Sequence, residues 1–257
     1  MLKVRVIPTL LHKEVGLVKS VKFKSWRHVG SVMQAVRVYN LRDVDELVFL
    51  DIAATPNHRP PDFELVADIA RECFMPLTVG GGVNSISNVE QLLRVGADKV
   101  AVGTAIVEQP QFLQNCADRF GSQCMVACLD VRRHKDLEWE VVTHCGNNPT
   151  GKSASATAKV MESNGAGEII LNSIDQDGTM EGYDYELASA VAEAVRIPLI
   201  VSGGAGTYHH MVKAINECGA NAVAAASLFH FTEQTPNELK RKMAENGIPV
   251  RTALQRN

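Results

Sequence analysis

Eight short runs of the chain are apolar almost throughout: Val4–Leu10, Glu46–Ile52, Pro76–Val79, Lys99–Gly103, Met125–Asp130, Glu168–Asn172, Pro198–Ser202 and Ala222–Ala226. A strand covered on both faces has no polar side to present, so such runs mark strands of a buried parallel sheet. Between them lie longer amphipathic segments, near Ser31–Asn40, Pro61–Cys73, Ile86–Val95, Pro110–Phe120, Ala154–Asn164, Glu186–Val195, His209–Cys218 and Glu238–Glu245, which read as helices with one buried face. Strand and helix alternate eight times. The alternation predicts an α/β fold with a parallel sheet, and the count predicts closure into a (β/α)8 TIM barrel. A doubly wound open sheet is the alternative.

The pattern also repeats. MPLTVGGGVNSISNVEQLLRVGADKVAVGTA, from Met75, matches IPLIVSGGAGTYHHMVKAINECGANAVAAAS, from Ile197. Gly81 and Gly203 correspond, an offset of 203 − 81 = 122, close to half the chain. DELVFLDI from Asp45 aligns with GEIILNSI from Gly167 at the same offset. Internal similarity at a fixed period predicts duplicated units, here two tandem half-barrels of roughly 1–120 and 121–257 within one domain, 1–257. Two segments fit the repeat poorly. Lys13–Lys24 follows the first strand, and Val131–Lys152 follows the fifth, where the alternation in LEWEVVTH suggests a small hairpin. Both leave the C-terminal ends of strands, where barrels build their active sites, so they are candidate mobile loops as well as candidates for plain surface loops.

Composition narrows the function classes. The 257 residues are 46% hydrophobic, enough for a large core, and the net charge of -3 argues against a general nucleic-acid binder. Small phosphorylated molecules remain possible ligands, because backbone amides bind anions without net charge. The six cysteines, Cys73, Cys116, Cys124, Cys128, Cys145 and Cys218, are scattered without a Cys-x-x-Cys pair, so no zinc or other cofactor is expected. MLKVRVIPTLL lacks the features of a signal peptide and no apolar stretch reaches membrane-spanning length. The expectation is a cytoplasmic protein with reduced thiols and no membrane partner.

The clearest chemical signal is a pair of glycine-rich turns. Gly80, Gly81 and Gly82 follow the third strand and Gly103-Thr104 the fourth; Gly203 and Gly204 follow the seventh and Ala226-Ser227 the eighth. Glycine lets the backbone approach an anion and turn N–H groups toward it, and Ser or Thr at a helix start adds a hydroxyl. Each half then forms a phosphate cradle, and the ligand carries two phosphates at its ends. The plainer alternative is that these glycines only permit tight turns.

Carboxylates at the C-terminal ends of strands point toward the mouth and can move protons. Asp130 ends the fifth strand, Asp51 the second, and Asp175 and Asp177 follow the sixth. Asp130 is the strongest candidate, since it closes an apolar run with no evident structural need for charge. Asp177 precedes Gly178-Thr179 and could equally support a turn. Aligning RVIPTLL with CMVACLD sets Leu11 opposite Asp130, at an offset of 119. Leucine cannot move a proton, so an acid–base pair across the barrel has only one member. His12 is adjacent, but neighbours on a strand face opposite ways. At the other end, Arg5, Glu46, Lys99 and Glu168 stand at strand starts with alternating sign. If they face inward they form a ring, readable as a structural plug or as a gate into a central passage.

The motifs RVIP, DELVFLDI, TVGGGV, GADKV, FGSQ, GAGEI, SIDQDGT, SGGAG and SLFHF together resemble the cyclase subunit of imidazole glycerol phosphate synthase, from the N-terminus to about Arg251. The resemblance implies a barrel that takes ammonia from a separate glutaminase subunit, in a heterodimer, and passes it through its core. The ammonia reacts there with a bisphosphorylated aminoimidazole ribonucleotide precursor. It further implies a catalytic role for Asp130, Asp177 and the lysine of the mobile first loop, Lys19, phosphate contacts at Gly82, Thr104, Gly178, Gly204, Ala226 and Ser227, an ammonia gate at Arg5, Glu46, Lys99 and Glu168, and a glutaminase contact at Asp98. Two positions depart from the family pattern: Leu11 replaces a catalytic Asp, and Gly103 an Asn. TLLHKEVGLVKS is similar instead to a divergent branch linked to surface-polysaccharide synthesis, in which the barrel supplies ammonia to a sugar amidotransferase. A true cyclase and a non-catalytic binding protein are the competing readings.

Overall fold

The computed structural model describes residues 3–14, 16–42 and 44–251. Its strands are β1 (Arg5–Lys13), β2 (Gly16–Val21), β3 (Lys24–Gly30), β4 (Leu47–Asp51), β5 (Leu77–Gly80), β6 (Lys99–Val102), β7 (Met125–His134), β8 (Glu138–Thr143), β9 (Asn148–Ser153), β10 (Glu168–Ser173), β11 (Leu199–Ser202) and β12 (Ala222–Ala225). Eight of them pair in parallel and close on themselves in the order β1-β4-β5-β6-β7-β10-β11-β12-β1. This is the (β/α)8 barrel that the alternation predicts, and it excludes the open sheet.

The helices between these strands start where the sequence supplies caps. Asp62, Ser85, Ser153, Asp184 and Thr235 each accept a backbone N–H three residues on, which satisfies a donor that a helix start would otherwise leave unpaired. Helix 110–120 begins on Pro110, whose missing N–H costs nothing there. The helix faces turned inward pack on the outer side of the barrel and form the larger core.

Strand side chains alternate in and out, so every second residue points into the barrel. Arg5, Glu46, Lys99 and Glu168 form the bottom layer. Two residues on, Ile7, Val48, Ala101 and Ile170 belong to a second, inner core together with Val126, Ile200, Ala222 and Ala224. Two further on, Thr9, Leu50, Gly103 and Asn172 open into the mouth. One alternation thus links a charged floor, an apolar middle and a mixed rim.

Four strands lie outside the barrel. β1 runs on to Lys13 and pairs antiparallel with β2 of the β2–β3 hairpin, so Gly16–Lys24 is built of strand and turn. Its tip, Lys22-Phe23, has two left-handed residues (φ 53 and 60), a conformation usually advertised by Asn-Gly. The tip carries no such signal, and that hid the hairpin. The small hairpin expected in Val131–Lys152 is present: β7 continues beyond Asp130 to His134 and pairs antiparallel with β8, which pairs with β9. Asp130 therefore lies inside a strand instead of closing one, because that added pairing extends the ladder. Two short helices, 104–108 and 227–231, also escape the periodicity, being too short to show it.

Candidate active site

A cavity of about 320 Å³ occupies the C-terminal mouth of the barrel, within the size range of small-molecule sites. Leu11, Lys19, Gly81, Gly82, Gly103, Thr104, Asp130, Asp177, Gly178, Gly203, Gly204, Ala226 and Ser227 all line it. The fold thus brings these residues together at the mouth, whereas Gly80 and Asp175, also singled out in the sequence, are not part of the cavity lining.

Asp130 reaches the cavity from β7 and Leu11 from β1, four strands apart in an eight-strand ring and therefore facing across the mouth. Asn172, beside Asp130 in the β10–β7 register, donates from Nδ2 to Asp130 Oδ1 at 3.1 Å. Burial pushes the Asp130 carboxyl up to about 6; the Asn172 hydrogen bond opposes the rise and the charge of Asp177 adds to it. A carboxylate with that affinity for protons is suited to act as a base near neutrality. Leu11 offers no matching group. His12 does not substitute: it is buried on the outer face against Phe49, with Nδ1 unpaired.

The other acids have structural work. Asp51 Oδ1 accepts the N–H groups of Ala53 and Ala54 at 2.9 and 3.1 Å, and Oδ2 faces Arg59 at 3.3 Å. Asp175 accepts the N–H of Arg133 at 2.8 Å. Asp177 receives Lys19 Nζ at 2.7 Å in a buried ion pair, and its backbone carbonyl accepts the N–H of Lys22 at 2.8 Å. These bonds fasten the β2–β3 hairpin across the mouth. A Cβ at Gly178 would collide with the carbonyl of Ser20, so the hairpin backbone can lie there only over glycine.

The glycine turns have a structural requirement too. Gly81 and Gly203 have φ of 106 and 89, and a Cβ on either would strike the backbone of Asp51 or Ser173. Tight packing therefore accounts for glycine at both without any ligand. The hydroxyls differ. Thr104 Oγ1 accepts the N–H of His144 at 3.0 Å, whereas Ser227 Oγ is buried with no hydrogen-bond partner.

At the opposite end the four charges do close a ring. Arg5 reaches Glu46 at 2.6 Å and Glu168 at 2.9 Å, and Lys99 reaches both at 3.0 Å. Thr78 Oγ1 adds a hydrogen bond to Glu46 at 2.6 Å. Asp98, near the start of β6, is exposed, and its carboxylate accepts the N–H of Leu77 at 2.8 Å.

Sequence reasoning missed Asn172, His144 and the cavity-lining thiols Cys128 and Cys145, whose proton affinities burial raises, that of Cys145 to about 12. The LNSID string contained Asn172, but only the strand register reveals its bond to Asp130. No cluster of three or more metal-ligating residues exists among the described residues, and no helix there is long and apolar enough to cross a membrane. A family model described as histidine biosynthesis protein matches residues 5–235.

Proposed function

Since the chain belongs to the histidine biosynthesis protein family, we propose that it is the ammonia-accepting barrel of a two-protein glutamine amidotransferase, with Asp130 as its proton-moving group and a phosphorylated sugar as the class of molecule aminated. The observation that carries this reading is the contrast between the two barrel ends: the charged floor is complete, while across the mouth Asp130 faces Leu11 in place of a second carboxylate. A glutaminase subunit docks at the floor, with Asp98 at its rim. Neutral ammonia passes the ring and the apolar layer of Ile7, Val48, Ala101 and Ile170, which an ammonium ion could enter only at a large desolvation cost. In the mouth, ammonia adds to the carbonyl carbon of the open-chain sugar, the C=O π bond breaks as its oxygen takes a proton from solvent, and Asp130 takes up the proton that nitrogen loses. Lys19 and Asp177 hold the hairpin over the site and keep bulk water out. The turns at Gly81-Gly82 with Gly103-Thr104, and at Gly203-Gly204 with Ala226-Ser227, seat phosphate, and Gly178 completes the wall.

A cyclase that closes the imidazole ring of a bisphosphorylated precursor is the second reading. It is favoured by the retention of both turns and of a carboxylate raised to about 6. Loss of one acid–base group costs roughly 10²–10⁴-fold, which leaves room for residual turnover.

The test mixes the purified chain with a glutaminase subunit of the imidazole glycerol phosphate synthase type and follows glutamine hydrolysis. Stimulation by the barrel, abolished by reversing the charge of Asp98, is expected. No stimulation would sink the ammonia reading.

A further inference from the structure

Leu11 leaves the first half of the mouth without an acid–base group on its strand, but the β8–β9 turn brings one there from the other half. The turn crosses the mouth and is tied to three strands or strand ends. The His144 N–H is given to Thr104 Oγ1, just beyond β6, at 3.0 Å, and the Cys145 thiol to the carbonyl of Ile52, just beyond β4, at 3.2 Å. From β7, Arg132 Nη2 donates to the Gly146 carbonyl at 3.1 Å. Within the turn, Asn147 Nδ2 donates to the His144 carbonyl at 2.7 Å. His144 and Cys145 are both left-handed, with φ of 52 and 55. Two successive non-glycine residues seldom adopt that conformation; it persists where the surroundings over-determine it, and such strain gathers at functional sites. The bonds above hold it in place.

The imidazole of His144 lines the cavity, as does Glu108. The ring's contacts all fall on one nitrogen. Nδ1 stands 3.2 Å from Asn148 Nδ2, 3.3 Å from Thr143 Oγ1 and 3.6 Å from Glu108 Oε1. The Asn148 amide can donate to Nδ1 of a neutral ring, and the Glu108 carboxylate can accept the Nδ1 proton of a charged one. Nδ1 therefore has a partner in both protonation states, while Nε2 is left without one among the described residues. A histidine backed by a carboxylate on one nitrogen and open on the other is arranged to pass a proton to a ligand.

We propose that His144 is a second catalytic residue, the acid that works against Asp130 from the half of the mouth where Leu11 offers nothing. This rests on the sugar-amination reading and deepens it, with His144 rather than solvent as the source of the oxygen's proton. Nitrogen bonds to the carbonyl carbon, and the C=O π pair moves to oxygen. The oxygen takes the Nε2 proton of the His144 imidazolium, and Asp130 takes one proton from nitrogen. The product is a carbinolamine. His144 is left neutral with its remaining proton on Nδ1, facing Glu108, and solvent carries the Asp130 proton back to the ring.

The experiment incubates the full chain with ammonium chloride and D-ribulose 5-phosphate, a ketose held open because its terminal oxygen is phosphorylated. Cyanoborohydride reduces the imine that the carbinolamine gives on losing water, and mass spectrometry reads the aminopentitol phosphate against a protein-free background. The unsubstituted chain should accelerate its formation. His144→Gly should lower the rate about a hundredfold or more, with the KM for ammonium changed less than about threefold. Glycine suits a φ of 52 and keeps the N–H given to Thr104, so the turn is retained. Added imidazole should restore the rate of His144→Gly at least about tenfold, which it would not do for a residue that only shapes the turn. His144→Gln, which fills the space without a proton to exchange, should lose as much and gain nothing from imidazole. Full rate in either variant, or no rescue of His144→Gly, would overturn the proposal and leave the amination reading standing. No acceleration by the unsubstituted chain would overturn both.

Discussion

Leu11 and Asp130 face one cavity from opposite halves of the barrel, and the same inequality recurs around them. In the half that carries Leu11, the turn hydroxyl of Thr104 is engaged by His144; in the half that carries Asp130, the hydroxyl of Ser227 is free. At the floor one repeated pair persists, Glu46 and Glu168, 168 − 46 = 122 apart, but the two cations they share, Arg5 and Lys99, both come from the first half. Divergence between the halves therefore shows at both ends of the barrel. A barrel tolerates this because strands and helices hold the rim in place while the residues on it change freely.

The largest effect should come from restoring symmetry. Leu11→Asp places a second carboxylate across from Asp130 and should raise ammonium-dependent cyclase turnover at least about tenfold; adding Asp130→Asn should remove it again by roughly 10²–10⁴-fold, both read by product formation. No gain from Leu11→Asp would mean that Gly103 or Asn172 has also redirected the site.

Next comes the floor. Glu46 is nearly fully buried and accepts from Arg5, Lys99 and Thr78, whereas Glu168 is more open and faces only the two cations among the bonds above. Glu46→Ala should cost about 3 kcal/mol in urea unfolding, as removal of one partner from a buried charge cluster does, and Glu168→Ala clearly less. Equal losses would show that the floor is less asymmetric than its burial implies.

Asp130 itself should be destabilising at neutral pH. Its folded-state value of about 6 lies above the ordinary 3.8, so the folded protein keeps a proton that the unfolded chain has already lost between those values. Stability attributable to this group therefore falls as pH rises through about 4 to 6. Asp130→Asn should melt roughly 2–6 °C higher than the unsubstituted chain at pH 7.5, with the difference vanishing near pH 4. A lower melting temperature at pH 7.5 would show that the charge is stabilised by contacts beyond Asn172.

The smallest contrast is between the hydroxyls. Thr104→Ala should lose about 1 kcal/mol, because the His144 N–H loses its acceptor, while Ser227→Ala should be neutral or slightly stabilising. Thermal melts in phosphate-free buffer separate the two.

Much of this was legible in the sequence. Apolar runs buried on both faces announced the eight strands, and the matched turns at Gly81 and Gly203 located the mouth. Asp130 and the alternating floor charges followed from strand periodicity. The β2–β3 hairpin did not, because Lys22 and Phe23 adopt left-handed conformations that their side chains do not signal. Asn172 and His144 stayed hidden for another reason: each acts through a partner 42 or 40 residues away, and only the closed sheet and the folded-back β8–β9 turn bring those partners within reach. Nor could the sequence tell that Lys19 is held by Asp177, 158 residues on.

The most direct test is an assay of the unsubstituted chain with an ammonium salt and the bisphosphorylated aminoimidazole precursor, using Asp130→Asn as the control. The account predicts no imidazole glycerol phosphate above that control. Turnover that disappears in Asp130→Asn would contradict it: one carboxylate would then suffice for ring closure, and the barrel would be a working cyclase in spite of Leu11.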